Sequence, residues 1–136
     1  MKKRFVLALA MVVIMLLAAC TMNTNNSLDN TTWYLLSLGD EPALSDVKVT
    51  LQFENGSVGG KDGCNWYGGT YTVNGDQWNV DDEITSTLIL CSEPIMEQAQ
   101  AYMAALRGAS RYQIEDQQLI LLDANGTILA TFAAQS

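Results

Sequence analysis

Three cysteines, Cys20, Cys64 and Cys91, carry most of the chemistry this sequence offers. A thiol can be acylated, paired, given to a metal or used as a nucleophile, and its neighbours decide which. No histidine occurs among the 136 residues. That removes the commonest general base near neutral pH and the commonest metal ligand. A Ser-His-Asp or Cys-His centre is therefore excluded, as is a histidine zinc site. The 15 acidic residues include no pair that spacing singles out for glycoside hydrolysis. Asp81-Asp82-Glu83 lacks the spacing of a calcium loop and reads as a solvated turn. Gly59 to Gly69 holds five glycines in eleven positions, Gly59, Gly60, Gly63, Gly68 and Gly69. Its spacing fits neither phosphate-cradling pattern, so these glycines serve tight turns and close backbone approach. No catalytic residue, no metal site and no cofactor is expected.

Cys20 stands at the end of a distinct leader. Lys2, Lys3 and Arg4 precede an unbroken apolar run from Phe5 to Leu17, and Ala18-Ala19 separate that run from the cysteine. This is the layout of a secretory signal peptide. The alternative, a membrane span, needs about 20 residues. Leu17-Ala18-Ala19-Cys20 resembles the lipobox of bacterial lipoproteins, in which the cysteine is lipidated and becomes the mature N-terminus. Residues 1–19 are thus expected to be removed and Cys20 to hold the chain on a membrane. Residues 20–30, with the polar run Thr21–Asn30, are expected to form the lipidated cysteine and a flexible tether. By the sorting rule for Gram-negative lipoproteins, Thr21 in place of aspartate favours the outer membrane, with the domain facing the periplasm. Loss of the leader leaves four basic residues, Lys48, Lys61, Arg107 and Arg111, against all 15 acids, a net charge of −11. Nucleic acid is not a partner for such a surface.

With Cys20 assigned to lipid, Cys64 and Cys91 form an even pair in an oxidising compartment. A disulfide between them is the expectation. Two buried free thiols or one reactive thiol are the alternatives, the last without a neighbouring histidine to activate it.

The elements around these residues are mostly strands. Thr31–Leu38 is rich in aromatic and β-branched residues and stops at Gly39-Asp40. Val47–Glu54 alternates strictly, with Val47, Val49, Leu51 and Phe53 on one face. Asn55-Gly56 predicts a two-residue hairpin turn into Ser57–Lys61. Gly68–Val73, a turn at Asn74-Gly75-Asp76 and Gln77–Val80 form a second hairpin. Ile84–Leu90 reads as a further strand, more buried towards its end. The period then changes. Ile95, Ala99, Tyr102 and Leu106, with Met96 and Met103 alongside, mark an amphipathic helix capped by Ser92 and stopped at Arg107-Gly108. Ser110–Ile114, Leu119–Leu122 and Ile128–Phe132 complete the chain as strands, with turns near Asp116-Gln117 and Asn125-Gly126. The fold class is mainly β (α+β): an antiparallel curled sheet or small barrel of about eight strands, with one amphipathic helix covering an opening. Trp33, Trp66, Trp78, Tyr67 and Tyr71 are mostly expected in the core as cross-strand pairs. Trp66, beside the glycine turn, is the residue expected on a binding surface.

Several of these residues stand together in a pattern. Trp33-x-Leu35, Leu51-x-Phe53, Gly63-Cys64-Asn65 with Tyr67-x-Gly69-x-Tyr71, Thr87-x-x-x-Cys91, then Glu97, Tyr102, Leu106, Tyr112 and Leu119-x-Leu121 follow the order of META/HslJ-like domains (DUF306), which residues 31–136 resemble. Members commonly carry a methionine before the second cysteine, where this chain has Leu88-Ile89-Leu90. The resemblance implies a compact β-rich domain, often exported, associated with the heat-shock response and novobiocin resistance, with no established enzymatic activity. The fold is also likened to that of secretin-pilot lipoproteins. The expectation is a non-enzymatic envelope lipoprotein, held by Cys20 to a membrane, that binds an envelope protein or a small ligand. The alternative is a carrier of small apolar molecules in a barrel gated by the helix. A deep pocket lined by Met96, Met103 and tryptophans would favour the carrier; a filled interior with an exposed aromatic patch would favour the binding module.

Overall fold

Alternation along Val49, Leu51 and Phe53 buries one face of a strand, and most strands of this chain share that habit. The computed structural model describes residues 27–136. The expected signal peptide, the lipidation at Cys20 and residues 21–26 of the expected tether lie outside the described residues.

Among the described residues, ten strands and one helix follow in order. They are β1 (Thr31–Leu38), β2 (Glu41–Pro42), β3 (Thr50–Glu54), β4 (Ser57–Lys61), β5 (Trp66–Asn74), β6 (Gln77–Val80) and β7 (Thr85–Ser86). The helix α1 (Glu93–Gly108) comes next, then β8 (Arg111–Glu115), β9 (Gln118–Leu122) and β10 (Ile128–Ala134). Every pairing is antiparallel. Neighbours run β10-β9-β8-β6-β5-β4-β3-β1, and β1 pairs again with β10, so eight strands close a ring. The short strands β2 and β7 are added to β1 and β5. The ring removes the exposed edges that an open sheet of this size would leave.

Turn chemistry fixes the registers. Asn55 and Gly56 both have positive φ, 51° and 79°, as a primed turn requires, and Glu54 faces Ser57 across it. Asp116 and Gln117 do the same between β8 and β9 without a glycine, at φ 48° and 63°. Closure needs curvature, and irregularities between Leu35 and Ser37 in β1 and between Ile128 and Ala130 in β10 supply it. The ring is thinnest between β6 and β8. There one residue pair, Gln77 with Arg111, is flanked by the Trp78 amide on the Ser110 carbonyl (2.9 Å) and the Tyr112 amide on the Asp76 carbonyl (2.9 Å).

The interior is filled by side chains from all around the ring. Leu51, Phe53, Leu119, Leu121 and Phe132 are fully buried. Phe53 meets Tyr71 and Trp78 edge-on, at centroid distances of 4.8 and 5.6 Å. α1 starts after Ser92 with Pro94 in its first turn, where the missing amide is harmless. It turns Ala99, Tyr102, Ala105 and Leu106 inward, and Tyr102 packs edge-on against Phe132 at 6.2 Å. The helix thus covers an opening of the barrel, and the interior is packed solid beneath it.

Three expectations are corrected. The strand predicted over Val47–Glu54 begins at Thr50. Val47–Val49 keep the alternation but pair with β1 only through the Leu35 amide on the Val49 carbonyl (3.2 Å). The strand predicted over Ile84–Leu90 is confined to Thr85–Ser86, and its end is exposed rather than buried: Leu88 is 94% and Leu90 90% exposed. Residues 27–30 do not behave as tether. Leu28 is fully buried in the core, and its carbonyl accepts the Thr31 hydroxyl. The Asp29 carboxylate accepts the Asn55 amide at 2.7 Å, fastening this turn to the β3–β4 hairpin.

Candidate functional site

Asp62, Gly63, Cys64 and Asn65 form the turn between β4 and β5, and each has a separate mechanical task. Asp62 is buried. Its Oδ1 accepts the amides of Cys64 (2.8 Å) and Asn65 (2.6 Å), and its own amide donates to the Asn65 carbonyl (2.9 Å). The turn is closed from both sides. Gly63 has φ +105°, and a Cβ there would sit 2.7 Å from Val47 Cγ1. Glycine is required by backbone conformation and by space.

Cys64 is joined to Cys91 by a disulfide with the Cα atoms 6.0 Å apart. Asn65 fastens the same segment a second time. Its Oδ1 accepts the Ile89 amide (2.6 Å) and the Thr87 hydroxyl (2.8 Å), while its Nδ2 donates to the Ile89 carbonyl (3.2 Å). The buried side-chain amide imitates a strand partner for Ile89, which has none. Thr87 continues the ladder of β7 on β5: its amide donates to the Trp66 carbonyl (3.0 Å), and its hydroxyl accepts the Trp66 amide (3.1 Å). Residues 87–91 are therefore held at three successive places, yet Leu88 and Leu90 stand in solvent.

Trp66 opens β5 beside this segment and is 58% exposed. The Lys61 ammonium lies 5.9 Å from its ring centroid. The next residue, Tyr67, points inward. Its hydroxyl donates to the Thr50 carbonyl at 2.9 Å and meets the Tyr102 hydroxyl at 2.6 Å. Burial holds both phenols well above the usual tyrosine value, and the nearby Asp62 charge adds to the effect. These hydroxyls stay protonated and lock α1 to the barrel. Tyr71 and Gly69, the remaining members of the motif, lie in β5. Tyr71 belongs to the core, and a Cβ on Gly69 would stand 3.2 Å from Ile84 Cγ1.

Next to the turn, a groove of about 290 Å³ lies between α1, the β4–β5 turn and the β7 segment. Asp62, Asn65, Ile84, Met96, Met103 and Arg107 line it. No tryptophan does, since Trp33 and Trp78 are in the core, Trp78 donating its Nε1 hydrogen to the Leu106 carbonyl (3.2 Å). Sequence reasoning missed Asp62 and the exposure of Leu88–Leu90. The Asp62 bonds are local to the turn, whereas the exposure of Leu88–Leu90 depends on how two distant segments meet at the disulfide.

A ring of eight antiparallel strands covered by one helix, with a disulfide-sewn segment beside its glycine turn, defines a class of small helix-capped β-barrel domains. The META domain model matches residues 26–136, and the chain belongs to that family. Solved structures share the fold. A protein from Burkholderia xenovorans, solved by NMR, is 24% identical over 80% of this chain and 84% of its own, with a TM-score of 0.66. A second NMR structure is 19% identical over 78% and 90%, with a TM-score of 0.63. The crystal structure of a DUF4847 family protein from Bacteroides vulgatus is 18% identical over 79% and 94%, with a TM-score of 0.58. At these identities the likeness is one of fold. A search of curated proteins found no match.

Proposed function

We propose that this META-domain chain is a non-enzymatic lipoprotein of the bacterial envelope. In this role Cys20 carries the lipid, the outer membrane holds the anchor and the domain faces the periplasm. It supports stress tolerance of the envelope by binding another molecule at its surface. The observation that carries this role is the placement of Trp66. A large apolar side chain stands in water next to a turn that is over-fastened by Asp62, Asn65 and the disulfide, while the barrel interior is occupied by its own side chains. Rigid exposed aromatics are suited to binding, because little conformational freedom remains to be lost. The filled interior supports surface binding over carriage of a small molecule inside the barrel.

The test is genetic and chemical together. A strain lacking the chain should lose viability under heat or novobiocin relative to its parent. The wild-type chain should restore it, and Trp66→Ala should fail to do so at equal abundance. Intact mass of the purified chain should show acyl groups that Cys20→Ala lacks. Equal sensitivity of the deletion strain and the parent would overturn the stress role; an unacylated wild-type chain would overturn the anchor.

A further inference from the structure

We infer that Leu88, Ile89, Leu90 and Trp66 form a docking knob for a protein partner that offers an apolar cleft rimmed by lysine or arginine. The inference rests on the binding role proposed above and assigns it a place and a partner chemistry. Two leucines at least nine-tenths exposed, with Ile89 and Trp66 each more than half exposed, are costly to leave in water. Loose segments avoid that cost by folding back. This one is prevented from doing so, because Asn65 holds both polar groups of the Ile89 backbone and the disulfide holds Cys91. The fastening presents the side chains outward in one conformation.

Charge selects among the possible occupants. Glu83 precedes the segment, Glu93 and Glu97 follow it, and all three are exposed. Lys61 beside Trp66 brings one cation to the knob, and these three carboxylates flanking the segment outnumber it, so an anionic lipid surface is disfavoured. A second copy would bring the same carboxylates together, since a two-fold interface sets a patch against itself. Residues 21–26, Thr-Met-Asn-Thr-Asn-Asn, are too polar to cover three aliphatic side chains. Position agrees. Thr31 lies beside Phe53 near the Asn55-Gly56 turn, whereas Trp66 lies beside Lys61 at the other end of β4. The knob and the point where the preceding chain joins the barrel are thus at opposite ends, so a membrane-anchored N-terminus directs the knob away from its own membrane. The apolar area is on the order of a few hundred Å², below the roughly 800 Å² per partner of a standard interface. A small knob needs a cleft and a complementary rim, which a basic-rimmed pocket provides.

The experiment places a photo-crosslinking residue in the full chain, in its own cells, at Leu88, at Leu90 and, as control, at Gln117 in the β8–β9 turn at the far end. The expected result is a discrete protein adduct from positions 88 and 90 and none from 117. The adduct should map to an apolar cleft bordered by lysine or arginine. Its yield should fall at least tenfold on charge reversal by Glu83→Lys with Glu93→Lys, at an unchanged melting temperature. Leu88→Ser with Leu90→Ser should weaken binding of the isolated partner by tenfold or more. Adducts to lipid, to a second copy or to residues 1–26 would overturn the inference, as would a protein adduct indifferent to charge reversal. A protein adduct confined to position 117 would overturn the knob and leave the binding role standing. Absence of adducts from all three positions would defeat both.

Discussion

At the residue scale, Asn65 and the Tyr67–Tyr102 pair explain most of the local order. Asn65 gives three hydrogen bonds to the 87–89 segment from a buried position. Asn65→Ala leaves the Ile89 amide and carbonyl without protein partners and should lower stability by about 2–3 kcal/mol. Chemical denaturation measures that loss, and limited proteolysis should show new cleavage within Leu88–Leu90. The second case is the Tyr67–Tyr102 pair. Both phenols titrate well above the usual tyrosine value of about 10 in the folded chain, because burial opposes their charge. The unfolded chain releases these protons near pH 10 while the folded chain keeps them. Their contribution is therefore whole below pH 10 and is lost as pH rises beyond it, at about 1.4 kcal/mol per pH unit for each phenol. Stability measured between pH 9 and 11 should fall steeply above pH 10, and Tyr102→Phe should make the fall shallower. A flat profile would contradict the neutral buried pair.

At the element scale, the segment between β7 and α1 depends on cross-links rather than on a ladder. β7 is two residues long, and the residues after it are held by the disulfide and Asn65. Cys64 and Cys91 are 27 positions apart, and closing a loop of that length restricts the unfolded chain by about 3–4 kcal/mol in the chain-entropy account. Cys64→Ala with Cys91→Ala should cost about that much in denaturant unfolding, with the core retained. The predicted strand over Ile84–Leu90 fails for a related reason. The apolar run Leu88-Ile89-Leu90 looks like a buried strand end because pattern alone registers hydrophobicity. No strand is available to pair with it, and the bonds that hold it come from a side chain 24 positions away. Alternation did locate β3 and β6, the Asn55-Gly56 turn located β4, and the 3.6-residue period located α1, where one face meets the core and the other meets water.

At the scale of the whole molecule, the barrel has a plug and a seam. Leu28 is fully buried although it sits in a stretch that composition marks as polar. Leu28→Ala should lower stability by about 2–4 kcal/mol, the usual loss for a buried leucine, and a melting curve checks it. The seam is β6–β8, where one residue pair joins two otherwise continuous halves of the ring. Amide exchange at Trp78 and Tyr112 should be faster than at Leu121, whose strand pairs along its length on both sides. Equal protection at all three would show that the ring opens as one unit.

Composition, charge and periodicity by themselves determined the fold class, the turn positions, and the helix and its inward face, and made a pairing of the last two cysteines the expectation. These follow from local rules: alternation with period two, the 3.6-residue stripe, the positive φ that asparagine and glycine accept, and an even thiol count. Only the tertiary structure decided that the strands close into a ring, that Leu28 is core, and that Leu88–Leu90 project into water. Each of these depends on which distant segments meet. A leucine beside a polar run and a leucine at a strand end have the same transfer free energy in the sequence, and only the packing around them determines which one is buried.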